Sequence, residues 1–243
     1  KVIYYNDELN DEFSEAKIIP IDVDVNYKYK HNILWDFASF IVQNFLSVPI
    51  KVLYAKLKFK NKCVGKEKLK ECKKQAYFIY ANHTQPFADT FIPSNHIYPK
   101  RNFLIVNPEN VSMKGLKTLV PMLGAIPIPT KRNGMPKFLD SIEDKVKRKY
   151  AITIYPEAHI WPYYTKIRPF KSVSFKYPVK YDTPVYCMTN TYQELGKTEK
   201  QKEKNRLKEK VQIVTYVDGP FYINKELKNA KEMQENLRNR VYE

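Results

Sequence analysis

The stretch AYFIYANHTQPFAD, residues 76–89, joins a short apolar run to a polar loop and decides the fold. Residues 76–81 are apolar at every position and too few for a helix, which predicts a buried strand. Residues 89–98 have helical tendency, so His83 and Asp89 lie between a strand and a helix. This order of elements favours an α/β fold.

Two later apolar runs also end in polar side chains. Residues 124–129, GAIPIP, precede Lys131 and Arg132, and residues 150–156, YAITIYP, precede Glu157 and His159. The carboxyl ends of parallel strands share one edge of a sheet, where ligand crevices form. The three segments therefore predict one candidate site. The two prolines in residues 124–129 predict that this strand lies at the edge of the sheet.

The sequence predicts an α/β fold with a mixed, largely parallel sheet flanked by helices and an N-terminal amphipathic helical region. Further strands are expected at 102–106, 183–192 and 211–222, and further helices at 110–122, 135–149 and 224–242. The charged run 196–210 is expected to be a solvated loop. Three regions are expected: an N-terminal extension with short strands, 1–30; an amphipathic, basic helical region for membrane association, 31–75; and an α/β core, 76–243, forming a single domain with 31–75.

Composition narrows the class of partner. The chain has 243 residues and a formal net charge of +16, which favours nucleic acid, an acidic membrane surface or a phosphorylated substrate without choosing among them. It has 6 Gly and no GxGxxG or Walker sequence, so a glycine-rich nucleotide loop is not expected. Three cysteines without a CxxC pair indicate a reducing compartment. No residues have metal-ligand spacing, so no metal site is expected.

Residues 31–60 have the pattern of a helix with a narrow polar stripe, formed by Asp36, Ser39, Gln43 and Ser47. Pro49 is expected to kink or divide this helix. The apolar surface and the lysines after Pro49 fit a helix lying in a membrane interface, and burial against the domain produces the same pattern. The apolar stretch 33–48 is shorter than the ~18–20 residues of a spanning helix.

Each candidate site residue also has a simpler interpretation. A histidine after a strand is often a hydrogen-bonded structural residue, and Asp89 at the start of a helix is a typical N-cap. Lys131 and Arg132 are either surface charges or a phosphate-binding pair. Glu157 follows a strongly apolar strand, so its carboxylate must be paired or face a cleft.

In the order and spacing of four blocks, the chain resembles the glycerolipid acyltransferase family, which includes 1-acyl-sn-glycerol-3-phosphate acyltransferases. The resemblance runs from about residue 33 to 222 and rests on NHTQPFAD for the family's N-H-x4-D, GAIPIPTKR, YPEAHIWPYYTKIRPFKSVSF for P-E-G followed by P-F-K, and TPVYCMTN. This sequence departs from the pattern by one extra residue between His83 and Asp89. Ala158 replaces the usual glycine, and the family's nearby arginine is missing, with Arg168 as the candidate replacement.

The resemblance implies direct acyl transfer to a hydroxyl of a lysophospholipid such as 1-acyl-glycerol-3-phosphate. His83 would be the general base, and Asp89 would orient it. The implied substrate-binding residues are Lys131, Arg132 and Arg168 at the acceptor phosphate, Glu157 at the acceptor glycerol, and His159 and Tyr163. No bound cofactor is implied, and acyl-CoA, acyl-ACP or an acyl phosphate would be the co-substrate.

The implied partners are the lysophospholipid acceptor, the acyl donor, an anionic membrane surface and acyl carrier protein, but not nucleic acid. The implied location is cytoplasmic, peripheral on the inner face of the membrane, with residues 31–60 supplying hydrophobic insertion and attraction to anionic lipid. The alternative is a non-enzymatic basic protein that binds anionic lipid or nucleic acid. No helix-turn-helix, RRM or zinc pattern supports the nucleic-acid version.

Overall fold

The computed structural model describes residues 4–13, 18–196 and 211–243, and within them seven strands form one sheet. The strands are β1 (Lys62–Val64), β2 (Tyr77–Ala81), β3 (Asn102–Val106), β4 (Ala125–Pro127), β5 (Ala151–Ile154), β6 (Val185–Glu194) and β7 (Val211–Phe221). Their order is β1-β7-β6-β2-β5-β3-β4. Only β6 and β7 pair antiparallel, so the predicted mixed, largely parallel sheet is confirmed.

Helices flank this sheet, as predicted. Those of the described residues are α1 (Ile33–Ile41), α2 (Ser47–Phe59), α3 (Ala88–Ile97), α4 (Leu119–Met122), α5 (Met135–Lys147), α6 (Lys176–Tyr181) and α7 (Ala230–Tyr242). The edge position predicted for the proline-containing strand is confirmed, because β4 is the last strand of the sheet. The predicted loop at 196–210 lies outside the described residues except for Gly196.

The central strand β2 is buried at all five positions. Phe78 and Tyr80 belong to a core on one face of the sheet, shared with α5, α6 and α7. Tyr77 and Ile79 belong to a second core that includes Ile97 of α3. Burial on both faces explains why this strand is apolar at successive positions rather than at alternate ones.

The single helix predicted at 110–122 is wrong. A 3₁₀ turn at Pro108–Val111 and the short α4 occupy this part of the chain instead. Gly115 between them has a φ of 79°. This left-handed conformation is incompatible with a continuing helix and is open to glycine without strain.

The short strands predicted in residues 1–30 are also wrong for the parts that the structure describes, which contain no strand. Val23 instead donates its N–H to the Thr130 hydroxyl, 3.0 Å away, and accepts the Thr130 N–H at 3.0 Å. Loop contacts of this kind satisfy the backbone groups that a strand would have paired.

One continuous helix of 27 residues runs from Ile33 to Phe59 and is called the N-terminal helix below. It consists of α1, a π-helical segment at Val42–Leu46, and α2. The helix is not divided at Pro49. In a regular α-helix the ring of Pro49 would clash with the carbonyl four residues earlier, which belongs to Phe45. Phe45 lies within the π segment, where the helix is locally irregular.

The N-terminal helix turns its polar stripe toward the protein and its apolar surface outward. Ser39 and Gln43 are buried, whereas Leu34, Ile50 and Leu57 are 74%, 66% and 70% exposed. By length and composition the helix is long and apolar enough to cross a membrane. The core helix of a soluble protein can be equally long and apolar but is mostly buried, whereas only 17% of the apolar stretch of this helix is buried.

Polar contacts hold the buried stripe of the N-terminal helix to the domain. Gln43 accepts a hydrogen bond from Arg101 Nε at 2.6 Å and donates to the carbonyls of Asn102 and Leu123. The Ser39 hydroxyl donates to the Met122 carbonyl at 2.8 Å. The packing of this helix therefore depends on hydrogen bonds at positions where a soluble amphipathic helix would place apolar side chains.

Gln43→Ala is expected to lower the free energy of unfolding by about 2–3 kcal/mol, because it removes the acceptor of the buried Arg101 Nε–H group and the side-chain donor to two carbonyls. Urea unfolding of wild type and variant in the same detergent measures the change in the free energy of unfolding. The control is Leu53→Ala on the outward face, which is 58% exposed and should stay within about 0.5 kcal/mol of wild type. Equal stability of the two variants would show that the polar stripe does not hold the helix.

Candidate active site

The loop after β2 brings His83 and Asp89 into direct contact. The His83 Nδ1 atom lies 2.9 Å from Asp89 Oδ2, and the Asp89 side chain is fully buried. A carboxylate only accepts hydrogen bonds, so the neutral imidazole carries its proton on Nδ1 and leaves the Nε2 lone pair available. Within the described part of the chain, Nε2 has no hydrogen-bond partner. The pair has the geometry of a general base and its orienting carboxylate.

The extra residue in this loop does not separate the pair. The backbone N–H groups of Thr84 and Gln85 also donate to Asp89 Oδ2, at 2.7 and 2.8 Å, so the loop folds around the carboxylate. Asp89 is the second residue of α3, and Phe87 occupies the N-cap position without a side-chain cap. Asp89 therefore binds the preceding loop and is not the N-cap of the helix.

Tyr155, which directly follows β5, supports the imidazole from one side. Its ring stacks on the His83 ring with centroids 4.4 Å apart and planes at 22°. Its hydroxyl donates to the backbone carbonyl of Asp89. One side chain thus contacts both members of the pair and restricts the rotation of the imidazole.

Asn190 of β6 connects the pair to the neighbouring strands. Its Nδ2 lies 3.4 Å from Asp89 Oδ1, and its Oδ1 accepts the Thr215 hydroxyl at 2.7 Å. Its backbone N–H and carbonyl bond the Asn82 side chain at 2.8 and 3.0 Å. All four side chains are buried, so the network positions the carboxylate through satisfied hydrogen bonds.

Glu157 lies beside His83 because β2 and β5 are adjacent and parallel, with Tyr80 opposite Ile154. The Glu157 carboxylate is buried, and its oxygens lie 3.4 Å from the backbone N–H groups of His83 and Arg168. Burial raises the pKa of Glu157 from 4.5 to about 7, and these two hydrogen bonds oppose the shift. The carboxylate thus joins the turn after β2 to the loop after β5.

The loop that contains HIWPYY folds over the turn after β2. Trp161 and Tyr163 donate their backbone N–H groups to the carbonyls of His83 and Thr84, at 3.0 and 3.1 Å. The Tyr163 side chain is 49% exposed and its ring packs against Tyr192. Tyr163 is therefore close to the pair, as the sequence predicts for a substrate contact, although substrate binding by it stays a prediction.

Arg168 is fully buried and binds the N-terminal segment 4–13. Its guanidinium donates to the carbonyls of Glu8, Leu9 and His159 and lies 4.2 Å from the centroid of the Trp161 ring. These contacts show a packing role for Arg168. Its predicted contact with a substrate phosphate is not tested by this geometry.

His159 also contacts segment 4–13. Its Nδ1 lies 2.9 Å from the Glu12 carboxylate, with 29% of the histidine side chain exposed. The structure does not bring this imidazole to the His83–Asp89 pair by any hydrogen bond among the described residues.

Lys131 and Arg132 follow β4 at the same carboxyl edge of the sheet as His83 and Glu157. Three strand spacings separate β4 from β2, about 14 Å at ~4.8 Å each. Lys131 pairs with Asp22 at 2.8 Å, and both side chains are more than half exposed. Such an exposed pair is weak, so it leaves the lysine able to exchange its partner for a phosphate.

The comparisons with known proteins identify a family for this chain. A family model described as Acyltransferase matches residues 60–190, which is more than half of the chain. The chain belongs to the acyltransferase family. The predicted resemblance to the glycerolipid acyltransferases agrees with this match, and the structural match described next shows a fold shared with one of them.

Seven chains among the solved structures match this acyltransferase at a significant level. One is the 1-acyl-sn-glycerophosphate (LPA) acyltransferase PlsC from Thermotoga maritima, with a TM-score of 0.54 and 16% sequence identity. The match covers 86% of this chain and 84% of PlsC. At this identity the match shows a shared fold. No curated protein sequence matches the chain at a significant level.

Several residues around the His83–Asp89 pair were not predicted from the sequence. Asn190 and Thr215 lie more than a hundred residues after His83. Only the strand order of the sheet brings Asn190 to Asp89 and Thr215 to Asn190. Tyr155 gave a partial signal, because it directly follows an apolar strand next to Pro156 and Glu157. The other available signal was Asn190, which lies between Thr189 and Thr191 in the predicted strand.

Glu157→Gln is expected to stabilise the folded acyltransferase at about pH 8 and to lose this advantage near pH 4.5. The folded-state pKa is raised, so ionised Glu157 destabilises the fold above about pH 7. Below about pH 4.5 the carboxyl is protonated in both folded and unfolded chains. The gain at high pH is at most ~3 kcal/mol.

Urea unfolding of wild type and Glu157→Gln at both pH values measures this difference. Glu235→Gln, an exposed substitution on α7, is the matched control and should give no pH-dependent gain. A stability difference between Glu157→Gln and wild type that is the same at both pH values would contradict the raised pKa.

Proposed function

We propose that this acyltransferase moves a fatty acyl group from an activated donor to a hydroxyl of a lysophospholipid such as 1-acyl-glycerol-3-phosphate. The observation that carries the proposal is the 2.9 Å contact between His83 Nδ1 and the buried Asp89 carboxylate. Family membership supports the reaction class, and the fold shared with PlsC supports a lysophosphatidate acceptor. No protein nucleophile is required in this reaction.

In the proposed step, His83 Nε2 takes the proton from the acceptor hydroxyl as its oxygen attacks the acyl carbonyl carbon. The bond between that carbon and the donor's leaving group breaks, and the imidazolium returns the proton to the leaving group. Asp89 stabilises the imidazolium and keeps the imidazole in the required orientation. Asn190 and Tyr155 hold this pair in place through the contacts described above.

The acceptor phosphate is proposed to bind Lys131 and Arg132, because both follow β4 at the carboxyl edge that carries His83. Glu157 is proposed to contact the acceptor glycerol from its position beside His83. Arg168, His159 and Tyr163 are proposed to contribute to the shape of the acceptor site. The donor is proposed to be acyl-CoA, acyl-ACP or an acyl phosphate.

The N-terminal helix is proposed to meet the membrane that contains the acceptor lipid, with the enzyme peripheral on its inner, cytoplasmic face. Its outward apolar side chains would enter the interface, and the lysines of α2 would attract anionic lipid. The ring of Tyr54 in α2 packs on Phe91 of α3 with centroids 5.5 Å apart. Because α3 carries Asp89, this contact places the C-terminal half of the helix next to the catalytic pair.

His83→Ala and Asp89→Asn are each expected to lower kcat by ~10²-fold or more, because each removes general-base catalysis or its orientation. Acyl transfer to lysophosphatidate in detergent micelles, assayed with each donor class, measures the effect. The matched control is Asp140→Asn, an exposed substitution on α5 that should keep wild-type turnover. Wild-type rates in both folded site variants would refute the proposed function, and product formation without lysolipid would indicate donor hydrolysis.

A further inference from the structure

A polar cavity lies beside the start of β3 and the edge strand β4, and neither His83 nor Asp89 lines it. It has a volume of about 40 Å³ and lies between α1, α5 and the segment before α1. Apart from Tyr27 and Tyr29, the titratable side chains that line it are Lys28, His31, Asp36, Arg101, Lys145 and Arg148. Arg101 directly precedes β3, and Lys145 and Arg148 precede β5, so these cations mark the amino ends of the strands. A strand of five residues, such as β2, spans ~17 Å from its amino end to its carboxyl end.

Arg101 is a buried cation without a carboxylate partner among the described residues. Only 6% of it is exposed, and its guanidinium donates to the Gln43 side-chain oxygen at 2.6 Å and to the Ser39 hydroxyl at 2.9 Å. Both acceptors are neutral, and burial lowers the pKa of Arg101. A buried charge of this kind is costly unless an anion or further acceptors compensate it.

The cavity as a whole carries excess positive charge. Lys145 pairs with Asp144 at 2.7 Å, and Arg148 pairs with Asp36 at 2.8 Å. Two carboxylates therefore balance two of the four cations, and Arg101 and Lys28 remain without a counter-charge among the described residues. The excess favours an anionic ligand.

The cavity adjoins the apolar face of the N-terminal helix. Trp35 and Asp36 line it, while their neighbours Leu34 and Phe37 are 74% and 65% exposed on the outward side. The Trp35 ring stacks on His31 with centroids 4.1 Å apart. Aromatic and cationic side chains next to an apolar face are typical of the level of lipid headgroups.

We propose that this cavity binds the phosphate of an anionic phospholipid headgroup, at a site separate from the acceptor site. The inference rests on the proposed contact of the N-terminal helix with a membrane. The cavity has room for ~3 waters, which the phosphate oxygens would replace. Arg101 Nε and Nη2 already donate to Gln43 and Ser39, so the guanidinium would offer its remaining N–H groups to the phosphate. The exposed Lys28 supplies a second charge.

Vesicle binding by the full chain tests this site. Binding is compared between vesicles of phosphatidylcholine alone and vesicles that also contain phosphatidylglycerol, for wild type, Arg101→Gln and Lys28→Gln. The matched control is Lys30→Gln, which removes the same charge two residues from Lys28 at an exposed position that does not line the cavity. Near-UV circular dichroism checks folding, and if Arg101→Gln is unfolded the comparison of the two lysine variants decides.

Arg101→Gln is expected to weaken binding to the anionic vesicles about tenfold or more, through loss of charge-assisted hydrogen bonds. Lys30→Gln is expected to weaken it about fivefold or less, as one surface charge does. High salt should remove the Lys30 effect but leave a defect in folded Arg101→Gln, because a contact of the buried Arg101 is screened less. Lys28→Gln and folded Arg101→Gln that bind no worse than Lys30→Gln would overturn the proposal.

Two further measurements separate the alternatives. Inorganic phosphate is tested for its effect on the Tm of wild type and Lys28→Gln. Stabilisation of wild type alone, with equal vesicle binding by the two proteins, would assign the cavity to a free phosphate and overturn the lipid assignment. Acyl transfer by wild type is measured separately in micelles, so its absence would refute the proposed function while the vesicle comparison still decides this site.

Discussion

The buried charge of Asp89 is the constraint on which the rest of the site depends. A carboxylate without solvent must be surrounded by donors, and here they come from His83, the N–H groups of Thr84 and Gln85, and Asn190. Meeting this requirement fixes the loop after β2 and the orientation of the imidazole. It also ties α3, which carries the aspartate, to β2 and β6. Structure and proposed catalysis therefore use the same hydrogen bonds.

The parallel sheet brings the other groups to this carboxylate. Adjacent parallel strands end at the same edge, so the residues that follow β2 and β5 meet, and Glu157 joins the backbone of His83 to that of Arg168. Segment 4–13 then covers the loop after β5 through the Arg168 guanidinium. The loop is thus held on both sides, which keeps the imidazole and its stacked Tyr155 in one arrangement.

The N-terminal helix runs from the amino ends of the strands to their carboxyl ends. Its first half contacts Arg101 at the amino ends of the strands, and its second half packs on α3 at the carboxyl ends. Its polar stripe faces the domain and its apolar side faces outward, the reverse of a helix in a soluble protein. The same orientation places the proposed headgroup cavity and the proposed active site along one surface that meets the lipid.

The sequence by itself determined the α/β class, the largely parallel sheet, and the candidate pair His83 and Asp89, because hydrophobic periodicity and strand ends are local properties of the chain. Only the tertiary structure decided that Asp89 reaches back across a longer loop and that Asn190 joins it from β6. It also decided that Arg168 binds segment 4–13 and that the polar stripe of the N-terminal helix is the buried side. These outcomes depend on strand order and on which surfaces meet. A periodic pattern describes the two faces of an element but does not say which one its neighbours cover.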